Sequence, residues 1–265
     1  MFLVANWKMN MTRALIDEYL DVLSESSIWG TLDGSRIRIG IAPSHVYLDH
    51  VVLGIQNRDL PIIVLAQDVS TRTSGAFTGE VGMPNLLDIG VKGVVIGHSE
   101  RRRFFHETDE DVVIKTDLSL SADMVPIVCF GESGSQRKRG KTFSVVKSQI
   151  EPVFNGVKKA RERGITSPFY LAYEPVWAIG SGQNATPADI HEVAKYVSEE
   201  FSWPDPPAFL YGGSVSSDNI RSLSSLGDLS GFLVGSAWLD PHALLHSADL
   251  VRQLNRPVRE GVHVK

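Results

Sequence analysis

The chain has 265 residues, 43% of them hydrophobic and 22% charged, which is enough apolar material for a buried core and too much for a disordered chain. Its 26 Lys and Arg against 31 Asp and Glu leave a net charge of −5. With no long run of like charge, a nucleic-acid tail or a polybasic membrane patch is unsupported, and the expected partner is a small molecule. The single cysteine, Cys129, excludes an internal disulfide framework and any metal site of several thiolates, and it points to the cytoplasm. The longest apolar stretches, such as Ile62 to Ala66, are strand length and far short of the roughly 18 residues of a membrane span. Met1 leads into FLVANWK without a signal-peptide pattern.

In chain order, short β-rich runs that end in a polar residue or glycine occur at 2–7, 36–42, 61–67, 92–98, 124–130, 168–174, 208–213 and 231–236. Most are continuously apolar, as strands covered on both faces are, and each spacer is long enough for a helix, so the pattern predicts a parallel sheet. Between the sixth and seventh runs, Thr186, Pro187 and Asp189 predict a helix start, with Ile190, Val193, Ala194 and Val197 on one face. Asp240-Pro241 repeats the device before Leu244, Ala248 and Val251, and Gly164 ends the basic segment KKARERG as a C-cap would. The segment SWPDPP (202–207) is too short and too near the C-terminus to be a domain boundary, and is read as a loop. Eight βα units without a linker predict one α/β domain over 1–265, a (β/α)8 barrel.

Barrels of this kind carry their sites at the C-terminal ends of the strands. Those ends hold Asn6 and Lys8, Gln67, His98-Ser99-Glu100, Glu132, Glu174, Gly212-Gly213-Ser214 and Gly235-Ser236. Glu174 lies in YEPVWAIGSG, where an apolar loop able to fold over the carboxylate would raise its proton affinity and suit it as a general base; the plainer alternative is a solvated rim carboxylate. Removing a proton beside a carbonyl also needs a donor for the developing enediolate oxygen. His98, just before a helix start, fits as a neutral donor, although a lone histidine is more often structural. Lys8 on the rim reads as an anion-binding cation; the plainer alternative is a solvated lysine after a strand, with Glu100 simply its salt-bridge partner. The turns YGGSV and LVGSAW follow the last two strands, where barrel enzymes recurrently bind phosphate on backbone amides, and Gly180 could add another amide.

NWKMN (6–10), SGAFTGE (74–80), VVIGHSERR (94–102), CFGE (129–132), AYEPVWAIGSG (172–182), YGGSV (211–215) and GFLVGS (231–236) resemble, in order and over nearly the whole chain, the motifs of the triosephosphate isomerase family. The resemblance implies Glu174 as the base and His98 as the neutral electrophile, with Lys8 supplying positive charge, Asn6 bonding to substrate and 175–181 forming a lid; this family is the standard illustration of that acid/base pair and of lid closure. It further implies Gly180, Ser214, Gly235 and Ser236 as phosphate ligands, Ile179 and Leu233 as apolar cover for the base, and Glu100 in support. It implies no metal or organic cofactor. Its long third loop corresponds to 68–81, which implies a homodimer in which Thr78 steadies Asn6 or its neighbours across the interface.

Five positions depart from the family pattern. Asp68 stands for the usual asparagine and should add negative charge on the Lys8 side, while Ser236 stands for the second glycine of the phosphate-binding pair. Trp238 stands for a small residue, Phe130 for the commoner aliphatic residue in CFGE, and Gln183 for the usual lysine of the distal hinge. The expected reaction is the interconversion of dihydroxyacetone phosphate and D-glyceraldehyde 3-phosphate. Asp68, Ser236 and Trp238 motivate an alternative, an isomerase of a one-carbon-longer erythrulose phosphate. Two other readings are a Schiff-base aldolase using Lys8 and a sugar-phosphate-binding protein without catalysis.

Overall fold

The β-rich runs form eight strands in the computed structural model, which describes residues 1–32, 36–178 and 185–254. They are β1 (Phe2–Asn6), β2 (Arg38–Ala42), β3 (Ile62–Ala66), β4 (Gly93–Ile96), β5 (Val125–Phe130), β6 (Tyr170–Tyr173), β7 (Ala208–Tyr211) and β8 (Gly231–Val234). Each pairs in parallel with its sequence neighbour and β8 returns to β1, closing the barrel. Side chains alternate across each strand. One set, including Phe2, Val4, Leu65, Val95, Ile127, Tyr170, Leu210 and Leu233, fills the barrel; the other packs outward against helices in the larger core. Both faces are therefore dry, which is why the strands read as continuous apolar runs.

The helix signals hold at the level of single bonds. Thr186 accepts from the Asp189 amide at 3.2 Å while the Asp189 carboxylate accepts from the Thr186 amide at 2.8 Å, a reciprocal cap. It starts the helix Pro187–Glu200, in which Ile190, Val193, Ala194 and Val197 are buried. Asp240 accepts from the His242 amide at 2.9 Å at the head of Pro241–Leu254, which buries Leu244, Ala248 and Val251. Gly164 follows the helix Thr142–Glu162 at φ 81°, a conformation that costs a glycine little. Residues 202–207 form a loop. No helix among the described residues is long and apolar enough to cross a membrane.

Candidate active site

Asn6, Lys8, His98, Glu174, Ser214, Leu233, Gly235 and Ser236 line one cavity of about 160 Å³ at the C-terminal mouth of the barrel, together with Gly212, Gly213, Val215, Val234 and Ala237. Residues from β1, β4, β6, β7 and β8 thus converge because closure of the sheet brings all their ends to one rim.

Glu174 follows β6 directly and is 2% exposed. Its Oε1 lies 3.0 Å from His98 Nε2, and its Oε2 accepts from the Ser99 amide at 2.8 Å. Space for it comes from glycines on both neighbouring strands. A Cβ on Gly131 would stand 1.9 Å from the Glu174 carbonyl oxygen, and one on Gly212 would stand 2.8 Å from Glu174 Cγ. Burial pushes the Glu174 pKa up, but His98, the Ser99 amide and Lys8 more than offset it and hold the carboxyl below its ordinary value. The group is therefore a carboxylate at neutral pH, and any stability it contributes is lost only as pH falls through that lowered value.

His98 caps the helix Ser99–Phe104, its Nδ1 accepting from the Glu100 amide at 3.2 Å. That bond occupies the Nδ1 lone pair and leaves the neutral ring's proton on Nε2, facing Glu174. Burial lowers the His98 pKa, while Glu174 and then Glu100 raise it, so with the two side chains in contact the net shift is upward. Its main upward cause is that contact with Glu174. Inserting a substrate between the two groups would remove that cause and leave burial, the amide and Lys8, which favour the neutral ring, opposed by Glu100.

Lys8 reaches Glu100 Oε1 at 2.6 Å, the pairing that the plainer reading of the sequence offered. Its backbone sits at φ 52°, unusual for a residue with a side chain and a form of strain found at functional sites. Three bonds hold it there: its amide donates to Asn6 Oδ1 at 3.0 Å, and its carbonyl accepts from Ser44 Oγ and from Gln67 Nε2, each at 2.8 Å. Close approach of β8 also matters, since a Cβ on Gly235 would come within 3.2 Å of Lys8 Cε. The sequence singled out Gln67 as a strand end without a role; the structure makes it a brace for Lys8.

Two expectations are corrected. Asp68 does not add charge beside Lys8. Its carboxylate binds Arg101 Nη2 and Lys115 Nζ, each at 2.7 Å, and Glu107 binds the same two cations at 3.2 and 2.7 Å. Two acids and two bases alternate in a closed ring that offsets the charge within itself. Trp238 does not reach the phosphate end either. It is 1% exposed, donates from Nε1 to Ser247 Oγ at 3.1 Å, and accepts at its carbonyl from the Tyr19 hydroxyl at 2.9 Å. Phe130 packs among Tyr173 and Phe209, with ring centroids 5.6 and 5.9 Å away, on the outer face of the barrel. Of the three residues that motivated a longer substrate, only Ser236 lines the cavity.

After Glu174, Pro175 leads into a turn of 3-10 helix, Val176–Ala178. Trp177 Nε1 there donates to Glu132 Oε1 at 2.9 Å, and the Tyr173 hydroxyl bonds the same buried carboxylate at 3.1 Å. Glu132 thus anchors the start of the loop that follows the base. Ile179, Gly180, Ser181 and Gln183, the remaining lid and hinge expectations, lie outside the described residues. Thr78 lies on a run, 72–80, that is exposed in the single chain, so nothing in the chain brings it to Asn6.

A buried carboxylate, an imidazole, one ammonium group and glycine-rich turns around one small cavity can remove a proton from carbon, donate to an oxygen that becomes charged, and hold an anion. Among known proteins, the family described as triosephosphate isomerase matches residues 1–252. The triosephosphate isomerase of Mycoplasma mobile is 39% identical over 244 residues, covering 90% of this chain and 94% of its own. That of Caldanaerobacter subterraneus subsp. tengcongensis is 40% identical over 247 residues, covering 89% and 94%. That of Chlamydia trachomatis serovar D is 37% identical over 264 residues, covering 97% and 90%.

Proposed function

The chain belongs to the triosephosphate isomerase family, and from that premise we infer that it interconverts dihydroxyacetone phosphate and D-glyceraldehyde 3-phosphate, an aldose-ketose isomerisation that serves sugar-phosphate metabolism. The observation that carries the reading is the Glu174–His98 pair, a buried base and a hydrogen-bond donor 3.0 Å apart at the bottom of an anion-binding cavity. Substrate enters between them. Glu174 takes a proton from the hydroxymethyl carbon of the ketose. The C–H electrons form the C=C bond, and the carbonyl electron pair moves onto its oxygen, which His98 Nε2–H stabilises and protonates. Return of the proton from Glu174 to the former carbonyl carbon, while the hydroxyl proton of the other oxygen passes to the deprotonated His98 Nε2, gives the aldehyde and restores both groups. Lys8 holds the negative charge of the substrate throughout. Ser214, Gly235 and Ser236 hold the phosphate, joined by Gly180, with Asn6 bonding the substrate, Leu233 and Ile179 covering the base, and 175–181 closing over it.

Turnover of the ketose in deuterium oxide tests the proton transfer. Deuterium is expected on the carbon beside the product's carbonyl, because the carboxyl proton exchanges with solvent before it is returned. Product free of deuterium under all conditions would point to an internal hydride shift and remove Glu174 from its role.

The working unit in this reading is a homodimer in the cytoplasm, with the 68–81 loop and Thr78 reaching the neighbouring subunit. It is supported by large apolar side chains left exposed along this face, Phe77 at 43% and Phe105 at 66%. Sedimentation equilibrium at micromolar concentration should give twice the chain mass of 29.1 kDa; a monomer there contradicts it.

A further inference from the structure

The opposite mouth of the barrel, at the N-terminal ends of the strands, carries a second cavity of about 460 Å³ that the isomerase reaction does not use. Arg36 and Arg38 lie in its wall, and no carboxylate is among its lining residues. Arg36 sits at the bend before β2 and Arg38 opens the strand, with buried Ile37 between them. Both arginines are exposed.

Arg38 is held in place. Its guanidinium stands 5.3 Å from the centroid of the Phe2 ring and 5.9 Å from that of Tyr170, and it donates to the Tyr170 hydroxyl. A guanidinium fixed against two rings keeps the rest of its donor fork available and loses little freedom on binding an anion. Having accepted from Arg38, the Tyr170 hydroxyl retains its own proton to donate. Ser224 also lines the cavity, and its buried hydroxyl finds no partner among the described residues, which leaves an unused donor in the wall.

We propose that this floor cavity is a second anion site that binds a small phosphate-bearing metabolite through Arg36 and Arg38. Two guanidinium groups match the charge of a phosphomonoester dianion and can bind its oxygens in bidentate fashion. The concave shape favours a compact ligand. A nucleic acid is disfavoured because the chain as a whole is acidic, with a net charge of −5, and offers no extended basic track. The site lies at the far end of the barrel from Glu174, so its occupancy is read separately from catalysis.

The experiment places tungstate, a phosphate mimic with a strong anomalous signal, in crystals of the full chain and of the Arg36→Ala/Arg38→Ala variant. In parallel, inorganic phosphate is titrated calorimetrically into both proteins. The wild type is expected to show two anomalous peaks, one by Gly235 and one at the floor within hydrogen-bond distance of Arg36 and Arg38. The variant should keep the first, lose the second, bind phosphate at the floor at least about tenfold more weakly, and keep its isomerase kcat and KM. If the double variant does not fold, Arg36→Glu, on an exposed side chain, should abolish the floor peak alone. A wild-type floor without density, or a floor peak that survives these substitutions, overturns the proposal. So does a floor peak without a second phosphate-binding event in solution, which would make it an adventitious ion only.

Discussion

Glu174→Asp is expected to lower kcat by about 100-fold while changing KM little, because removing one methylene withdraws the carboxylate by roughly an angstrom from the carbon it must deprotonate. The backbone here cannot follow the shortened side chain. The carbonyl of Glu174 lies where a Cβ on Gly131 would be only 1.9 Å away, and its amide donates to the Phe130 carbonyl at 2.7 Å. The aspartate should remain bonded to His98 or to the Ser99 amide rather than reach both. Steady-state kinetics in both directions check the prediction, and a loss in kcat below about threefold would mean that another group removes the proton.

Lys8→Met should lower kcat/KM on the order of 1,000-fold, a somewhat larger effect than removal of a single neutral donor from a preorganised site. Lys8 is the one lysine or arginine among the described residues lining the cavity, and it faces a substrate that carries a dianionic phosphate and gains further negative charge in the transition state. Methionine keeps the stem that packs beside Gly235 and removes only the charge. Glu100 loses its partner, but its side chain is 41% exposed and water can solvate it, so the fold should survive. Unchanged circular dichroism together with collapsed kcat/KM is the expected pair of results; retention of more than about a tenth of kcat/KM would remove Lys8 from the transition state.

The barrel was legible because its strands are dry on both faces, which continuous apolar runs report directly, and because caps such as Thr186 with Asp189 are local in sequence. The site was legible wherever a residue stands at a strand end. Lys8 and Glu100, 92 positions apart, could be paired because both ends lie on the same rim. Direction was harder. Asp68 lies two residues beyond β3, where the strand period no longer fixes which way a side chain points, and its turn toward Arg101 and Lys115 is set by cations distant in the chain. Trp238 likewise lies beyond β8, in a 3-10 turn, and its partners are Ser247 on the following helix and Tyr19, which is 219 positions away. The bracing of Lys8 by Ser44 and Gln67 likewise depends on backbone oxygens that no spacing of side chains reveals.

The ring of Asp68, Arg101, Glu107 and Lys115 shows how a departure at one position can leave the chemistry intact. Arg101 belongs to the helix that carries Ser99 and Glu100, and Asp68 follows Gln67, the brace of Lys8. The acid therefore ties together the two segments that hold the Lys8–Glu100 pair. A cation on each side compensates its charge, which is what a mostly buried carboxylate requires.

The most direct test of the account is kcat/KM for the purified protein with D-glyceraldehyde 3-phosphate, measured beside each erythrulose phosphate. A complete base, donor and anion cradle predicts a value on the triose near the diffusional range of about 10⁸ M⁻¹s⁻¹, with the four-carbon substrates far below it. Efficient turnover of a tetrulose phosphate, with the triose slower by several orders of magnitude, would contradict it and would mean that Ser236 alone is enough to rebuild the phosphate end of the site.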